Sequence, residues 1–93
     1  MSYVVRHTTA FKHDYKRALR RNLPIEKLQA VVEKLRNGEE LPPANRDHAL
    51  TGQWANHREC HVAPNWLLIY QIFENVLVLE RTRTGTHSDL FGK

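Results

Sequence analysis

The sequence contains a single cysteine, Cys60. No internal disulfide can form and no cysteine pair is available to a metal, which fits a reducing compartment and leaves Cys60 as a buried structural thiol. No stretch approaches the roughly 20 apolar residues of a membrane span, and Met1-Ser2-Tyr3-Val4-Val5-Arg6 lacks the apolar core of a signal peptide. No membrane partner and a cytoplasmic location are therefore expected. Internal repeats and low-complexity tracts are also missing, and 93 residues have room for one hydrophobic core only. Residues 1–93 should form one domain. Acidic groups are in deficit, 10 against 14 Lys and Arg with six His besides, a balance that favours a polyanion or an acidic protein as partner.

The patterning predicts an α+β chain. Tyr3-Val4-Val5 is short and β-prone, and Thr8 or Thr9 can cap a helix in which Phe11, Tyr15, Ala18 and Leu19 recur at helical spacing among basic residues. Pro24 suits the first turn of a second helix, whose Ile25, Leu28, Val31, Val32 and Leu35 form one stripe before Asn37-Gly38 stops it. An extended connector with Pro42-Pro43 follows. Three β-rich runs come next, Arg58 to Val62, Trp66 to Phe73 and Val76 to Thr82, with Glu74-Asn75 as a tight turn between the last two. The order βααβββ implies a helical hairpin packed on one face of a small antiparallel sheet, with the other face free for a site.

The chemistry-bearing residues are concentrated late in the chain. His48, His61 and His87 come from a loop, a strand and the tail. Imidazole titrates near pH ~6.5, so two of them can share general base and general acid work. In metal-free RNA cleavage a base takes the 2′-hydroxyl proton, an acid protonates the 5′-leaving oxygen and a cation holds the phosphorane; Arg81 and Arg83 are candidates for the cation. Strand parity puts His57, Glu59 and His61 on one face, and Leu77, Leu79, Arg81 and Arg83 on another. His57 and His61 would suggest a metal pair on a helix, but the segment reads as strand with no third ligand, so no metal site and no cofactor are expected. Trp54 and Trp66 read first as core residues.

Three segments carry a resemblance: Asp47-His48-Ala49-Leu50-Thr51-Gly52-Gln53-Trp54, Arg58-Glu59-Cys60-His61-Val62-Ala63-Pro64-Asn65-Trp66-Leu67-Leu68-Ile69-Tyr70, and Arg83-Thr84-Gly85-Thr86-His87-Ser88-Asp89-Leu90-Phe91-Gly92. In this order and spacing the chain resembles the YafQ branch of the RelE-like bacterial toxins, the first half agreeing only in its pattern of elements. The resemblance implies a RelE-like βααβββ fold and a type II toxin that cuts messenger RNA in the ribosomal decoding site without a metal, leaving a 2′,3′-cyclic phosphate or the 3′-phosphate derived from it. It implies acid–base and phosphate contacts from His48, His61 and His87, with His87 as general acid and His48 or His61 as base. Arg83 would stabilise the transition state, and Trp66 and Phe91 would shape the RNA pocket. The implied partner is a small, largely acidic antitoxin of the DinJ or RelB type, which carries operator-DNA binding for the pair. One departure stands out: where the family commonly has Asp after the proline, this chain has Asn65, and an amide cannot take a proton from a hydroxyl. The alternative to an active ribonuclease is therefore a weakened or inactive module that keeps antitoxin and operator binding.

Overall fold

The computed structural model describes residues 2–92. The chain runs β1 (Val4–His7), α1 (Thr9–Arg20), α2 (Ile25–Arg36), a 3-10 turn (Pro43–Asn45), β2 (His48–Ala49), a second 3-10 turn (Gly52–Trp54), β3 (Arg58–Ala63), β4 (Trp66–Phe73), β5 (Val78–Gly85) and α3 (His87–Phe91). Among the described residues no helix is long and apolar enough to cross a membrane.

Local chemistry explains both long helices. Thr8, not Thr9, is the cap of α1, its hydroxyl accepting from Phe11 N at 3.0 Å. α1 ends with Asn22 at φ 57° and Leu23 N returning to Ala18 O; α2 ends with Gly38 at φ 74° and Glu39 N returning to Lys34 O. Both are 6→1 closures around a left-handed residue, which Gly and Asn adopt at low steric cost. The hairpin then presents Phe11, Ala18, Leu28, Val31 and Leu35 to the sheet, where Cys60, Val62, Trp66, Leu68, Tyr70 and Leu79 meet them. Burial pushes the Cys60 thiol up to about 12, so it is inert packing.

The sheet order is β1-β5-β4-β3-β2, and β1 pairs with β5 in parallel. The sheet is thus mixed, and the expectation of an all-antiparallel one is corrected. A strand that leads into a helical hairpin and is followed by antiparallel strands can close the far edge in either direction, and strand composition carries no sign of which. Two further elements, the two-residue β2 and the helix α3, stand where the sequence predicts a loop and a tail. β5 also starts later than expected, because residues 74–77 form the turn, with Leu77 at φ 53°.

Both faces of the sheet are in use. Opposite the hairpin a smaller cluster, Leu67, Ile69 and Leu90 with Leu50, Trp54 and Phe91, seats α3 and the second 3-10 turn. The polar residues of interest gather around that cluster.

Candidate active site

β3 delivers two of the groups. Glu59 lies opposite Ile69 and His61 opposite Leu67, so both project from the face that carries α3, as parity requires. β2 sets His48 directly across from Glu59, with His48 Nε2 3.4 Å from Glu59 Oε1. His48 Nδ1 lies 2.6 Å from Arg46 O. Both of its ring nitrogens therefore face acceptors. The loop before β2 is held by Asp47, which accepts from the Tyr70 hydroxyl and from Arg58. Burial and that carboxylate push the Tyr70 phenol above its ordinary value, so it serves as a hydrogen-bond donor.

α3 brings the third imidazole. Thr86 and Asp89 form a reciprocal capping box, which fixes the first turn and with it His87. The His87 ring lies 5.9 Å from that of His61 and 6.3 Å from that of Phe91, centre to centre. Its Nδ1 is 3.4 Å from Asn65 Oδ1. The Arg21 guanidinium is the main reason that the Asp89 carboxyl stays well below the usual range. Arg21 Nη1 lies 2.7 Å away, and Arg17 Nη2 reaches Asp89 at 3.6 Å and Asp14 at 3.0 Å. α1 thus anchors the helix that carries His87.

Arg83 sits opposite Ile69, in line with Glu59 across the sheet. Its Nε and Nη2 donate to the two oxygens of Asp14, a residue only 4% exposed, at 2.6 and 3.1 Å. The same carboxylate accepts from Thr84 N at 3.1 Å, beyond the point where β1 stops pairing with β5. These bonds raise Arg83 above its ordinary value and keep it a cation.

Two candidates fall elsewhere. Trp66 is 3% exposed inside the hairpin-side core and donates Nε1–H to Thr84 Oγ1 at 2.9 Å, so its ring offers no face to a base. Arg81 does not share a face with Arg83, because an irregularity in β5 lets Tyr70 face Arg81 and Ile69 face Arg83, with Thr82 as the extra residue. Arg81 instead lies 4.8 Å over the Phe11 ring, in a groove of about 370 Å³ shared with His7, Tyr15 and Leu19. Burial lowers its pKa. The grouping that the structure makes is His48, Glu59, His61, Asn65, His87 and Phe91, with Arg83 at the flank.

Sequence reasoning passed over Glu59 and Asp14. Parity already grouped Glu59 with His61, and its burial at 5% exposure marks it further. Asp14 is the sole acid of the basic helix α1 and falls three residues after Phe11, on the buried stripe. Glu59 has another consequence. It supplies, with His87, the ligands that the His57/His61 spacing lacked: one donor atom each from Glu59, His61 and His87 lie within 4.8 Å of one another. His57 is not among them; its ring packs edge-on against Trp54.

Comparison with known proteins covers nearly the whole chain. The family model described as the bacterial toxin of type II toxin-antitoxin system, YafQ, matches residues 3–92. The chain is 37% identical over 89 residues to the mRNA interferase toxin YafQ of Escherichia coli K12, covering 95% of each chain. The toxin in the E. coli DinJ–YafQ toxin-antitoxin complex superposes with a TM-score of 0.89 at 34% identity, covering 99% of this chain and 100% of that one. A metal-bound toxin from Helicobacter pylori superposes at 0.90 with 34% identity, covering 98% and 100%. A match over nearly the whole chain, in sequence and in fold, shows that this chain belongs to the YafQ family of bacterial toxins of type II toxin-antitoxin systems.

Proposed function

We propose that the chain is an mRNA interferase, an endoribonuclease that cuts messenger RNA in the ribosomal decoding site by attack of the 2′-hydroxyl on the adjacent phosphate. The observation that carries this reading is the His61–His87 pair, two imidazoles 5.9 Å apart on a face flanked by a held arginine. Rings at that spacing can reach opposite oxygens of one phosphate, one taking the 2′-proton and the other protonating the 5′-oxygen.

His87 is assigned the acid. Asn65 accepts its Nδ1–H, which directs Nε2–H outward to the leaving oxygen. His61 is assigned the base, since both ring nitrogens of His48 are turned toward protein acceptors, Arg46 O and Glu59, and neither is aimed at a substrate hydroxyl. His48 then acts as a phosphate contact, with Glu59 orienting it. The Asp14 clamp engages Nε and Nη2 of Arg83 and leaves the Nη1 edge to meet the phosphorane. Phe91, beside His87, provides the ring on which a base stacks. A cleft of about 400 Å³ lined by Lys27, Arg46 and His61 offers the RNA backbone a cationic path into the site.

The chemistry uses no metal or cofactor, and the setting is the bacterial cytoplasm, where the chain meets ribosomes. Its partner is an acidic antitoxin of the DinJ type, through which the pair reaches operator DNA; the basic face of α1 complements such a protein. A second reading rests on Asn65. An amide beside His87 cannot balance a histidinium as a carboxylate does, which favours a weakened toxin that retains antitoxin binding.

The test is incubation with messenger RNA, with and without translating ribosomes, for the chain as it stands, Asn65→Asp and His87→Ala. Cleavage confined to ribosomes and reduced about 10²-fold or more in His87→Ala supports the reading. Cleavage that persists in His87→Ala removes the assigned acid, and cleavage by Asn65→Asp alone establishes the weakened toxin.

A further inference from the structure

We infer that the groove beside Arg81 is a binding site for a small amphiphilic oxyanion, a carboxylate or phosphate head on an apolar chain or ring. The groove lies on the hairpin face of the sheet, where Arg81 rests against the Phe11 ring, away from the face that carries His61 and His87. Binding there is independent of the ribonuclease reading.

Arg81 supplies the reason. Among the described residues every other partly buried arginine holds a carboxylate: Arg17 and Arg83 hold Asp14, Arg36 holds Glu33 and Arg58 holds Asp47. Arg81 has no such partner. Its Nη2 lies 3.2 Å from His7 Nδ1, and its Nε is buried without a hydrogen-bond partner. A desolvated cation is stabilised by an anion, and the planar guanidinium matches the paired oxygens of a carboxylate or phosphate. Burial lowers the Arg81 pKa, an effect that a bound anion reverses.

The rest of the groove fits the apolar part. Phe11, Tyr15 and Leu19, spaced four residues apart on α1, form one continuous wall, and Leu19 is 50% exposed although it is a large hydrophobic residue. Lys12 and Lys16 stand exposed on the rim, and no acid lines the groove. The one acid in the adjoining recess, which shares Tyr15 and Arg81, is Glu33, held by Arg36 at 2.6 Å. A volume of about 370 Å³ is that of a small-molecule pocket, which favours a compact ligand over a protein segment.

The experiment titrates octanoate, octyl phosphate and neutral 1-octanol into the full chain by calorimetry, below their micelle concentrations. One octanoate or one octyl phosphate per chain is expected, bound about 10-fold or more tighter than 1-octanol, and the tighter of the two identifies the head group. Arg81→Gln should weaken that binding about 10- to 100-fold. Leu19→Glu, at a half-exposed position that tolerates the change, should do the same by placing an acid on the apolar wall. Arg20→Gln removes the same charge from an exposed site outside the groove and should bind as the parent does. Circular dichroism confirms the fold of each variant. NMR shifts should centre on Phe11, Tyr15 and Leu19 and leave His87 unmoved.

Equal affinity for all three probes, unchanged affinity in Arg81→Gln and Leu19→Glu, or shifts centred on His87 overturns the site. A glutamate- and leucine-rich helical peptide or an oligouridylate that binds through Arg81 when neither amphiphile does overturns the small-ligand assignment. Self-association lost in Leu19→Glu, again without amphiphile binding, overturns it in favour of a second copy of the chain.

Discussion

Arg83 and Asp14 are joined by two hydrogen bonds, Nε to Oδ2 at 2.6 Å and Nη2 to Oδ1 at 3.1 Å, across 69 residues of sequence. The carboxylate also closes the unpaired edge of β5 at Thr84 N and holds Arg17. One buried acid therefore couples Arg83 at the flank of the proposed site, the sheet edge and the helix that anchors α3. Asp14→Asn retains the shape and removes the charge. We expect cleavage to fall mainly in kcat, because Arg83 loses its orientation, and stability to drop by about 1–3 kcal/mol as buried donors lose their partner. Urea denaturation and single-turnover cleavage measure the two effects; unchanged kcat in a folded Asp14→Asn would detach Asp14 from the site.

Gly85 stands where a side chain cannot. A Cβ there would sit 2.9 Å from Asp89 Cβ and 3.1 Å from Arg17 Nη2. Gly85→Ala should therefore push α3 off the sheet, with a cost of about 1–3 kcal/mol for the overpacking. Exchange broadening or shifts of the His87 and Leu90 resonances by NMR check it. A variant with the parent's spectrum and cleavage rate would show that α3 tolerates the displacement.

Asp89 predicts a pH dependence. Its folded pKa is depressed below the ordinary 3.8, chiefly by the hydrogen bond from Arg21 and further by Thr86. Its stabilising contribution is thus fully present above the unfolded value and is lost as pH falls through the folded one. The parent should exceed Asp89→Asn in stability by a constant margin above about pH 5, and the margin should shrink steadily below about pH 4. Denaturant midpoints measured from pH 7 to 2 test this, and a margin independent of pH would mean that the ionised form is not what matters.

Trp66 separates core from pocket. Trp66→Phe keeps an aromatic ring among Cys60, Val62 and Leu68 but leaves Thr84 Oγ1 without its donor. The expected loss is about 1 kcal/mol from the missing hydrogen bond, plus the smaller ring's unfilled volume, with ribosome-dependent cleavage preserved. Phe91→Ala should do the opposite and cut activity, since that ring lies half-buried beside His87. Loss of cleavage in a stable Trp66→Phe would return Trp66 to the RNA pocket.

The sequence by itself determined the helical hairpin and the three long strands. Those features rest on local physics: the caps at Thr8, Asn22 and Gly38, the stripe Leu28, Val31 and Leu35, and the parity that carries Glu59 and His61 to one face. Only the tertiary structure decided the parallel pairing of β1 with β5, which depends on how the hairpin returns to the sheet. It alone decided the fates of Arg81 and Arg83, because a single extra residue at Thr82 reverses the alternation that parity assumes. The meeting of Glu59 with His87 was likewise hidden, since donors 28 positions apart converge through a helix whose place is set by Arg17, Arg21 and Asp89. Periodicity reports which face of an element a residue occupies; which faces meet is settled by packing between elements, for which a linear pattern has no coordinate.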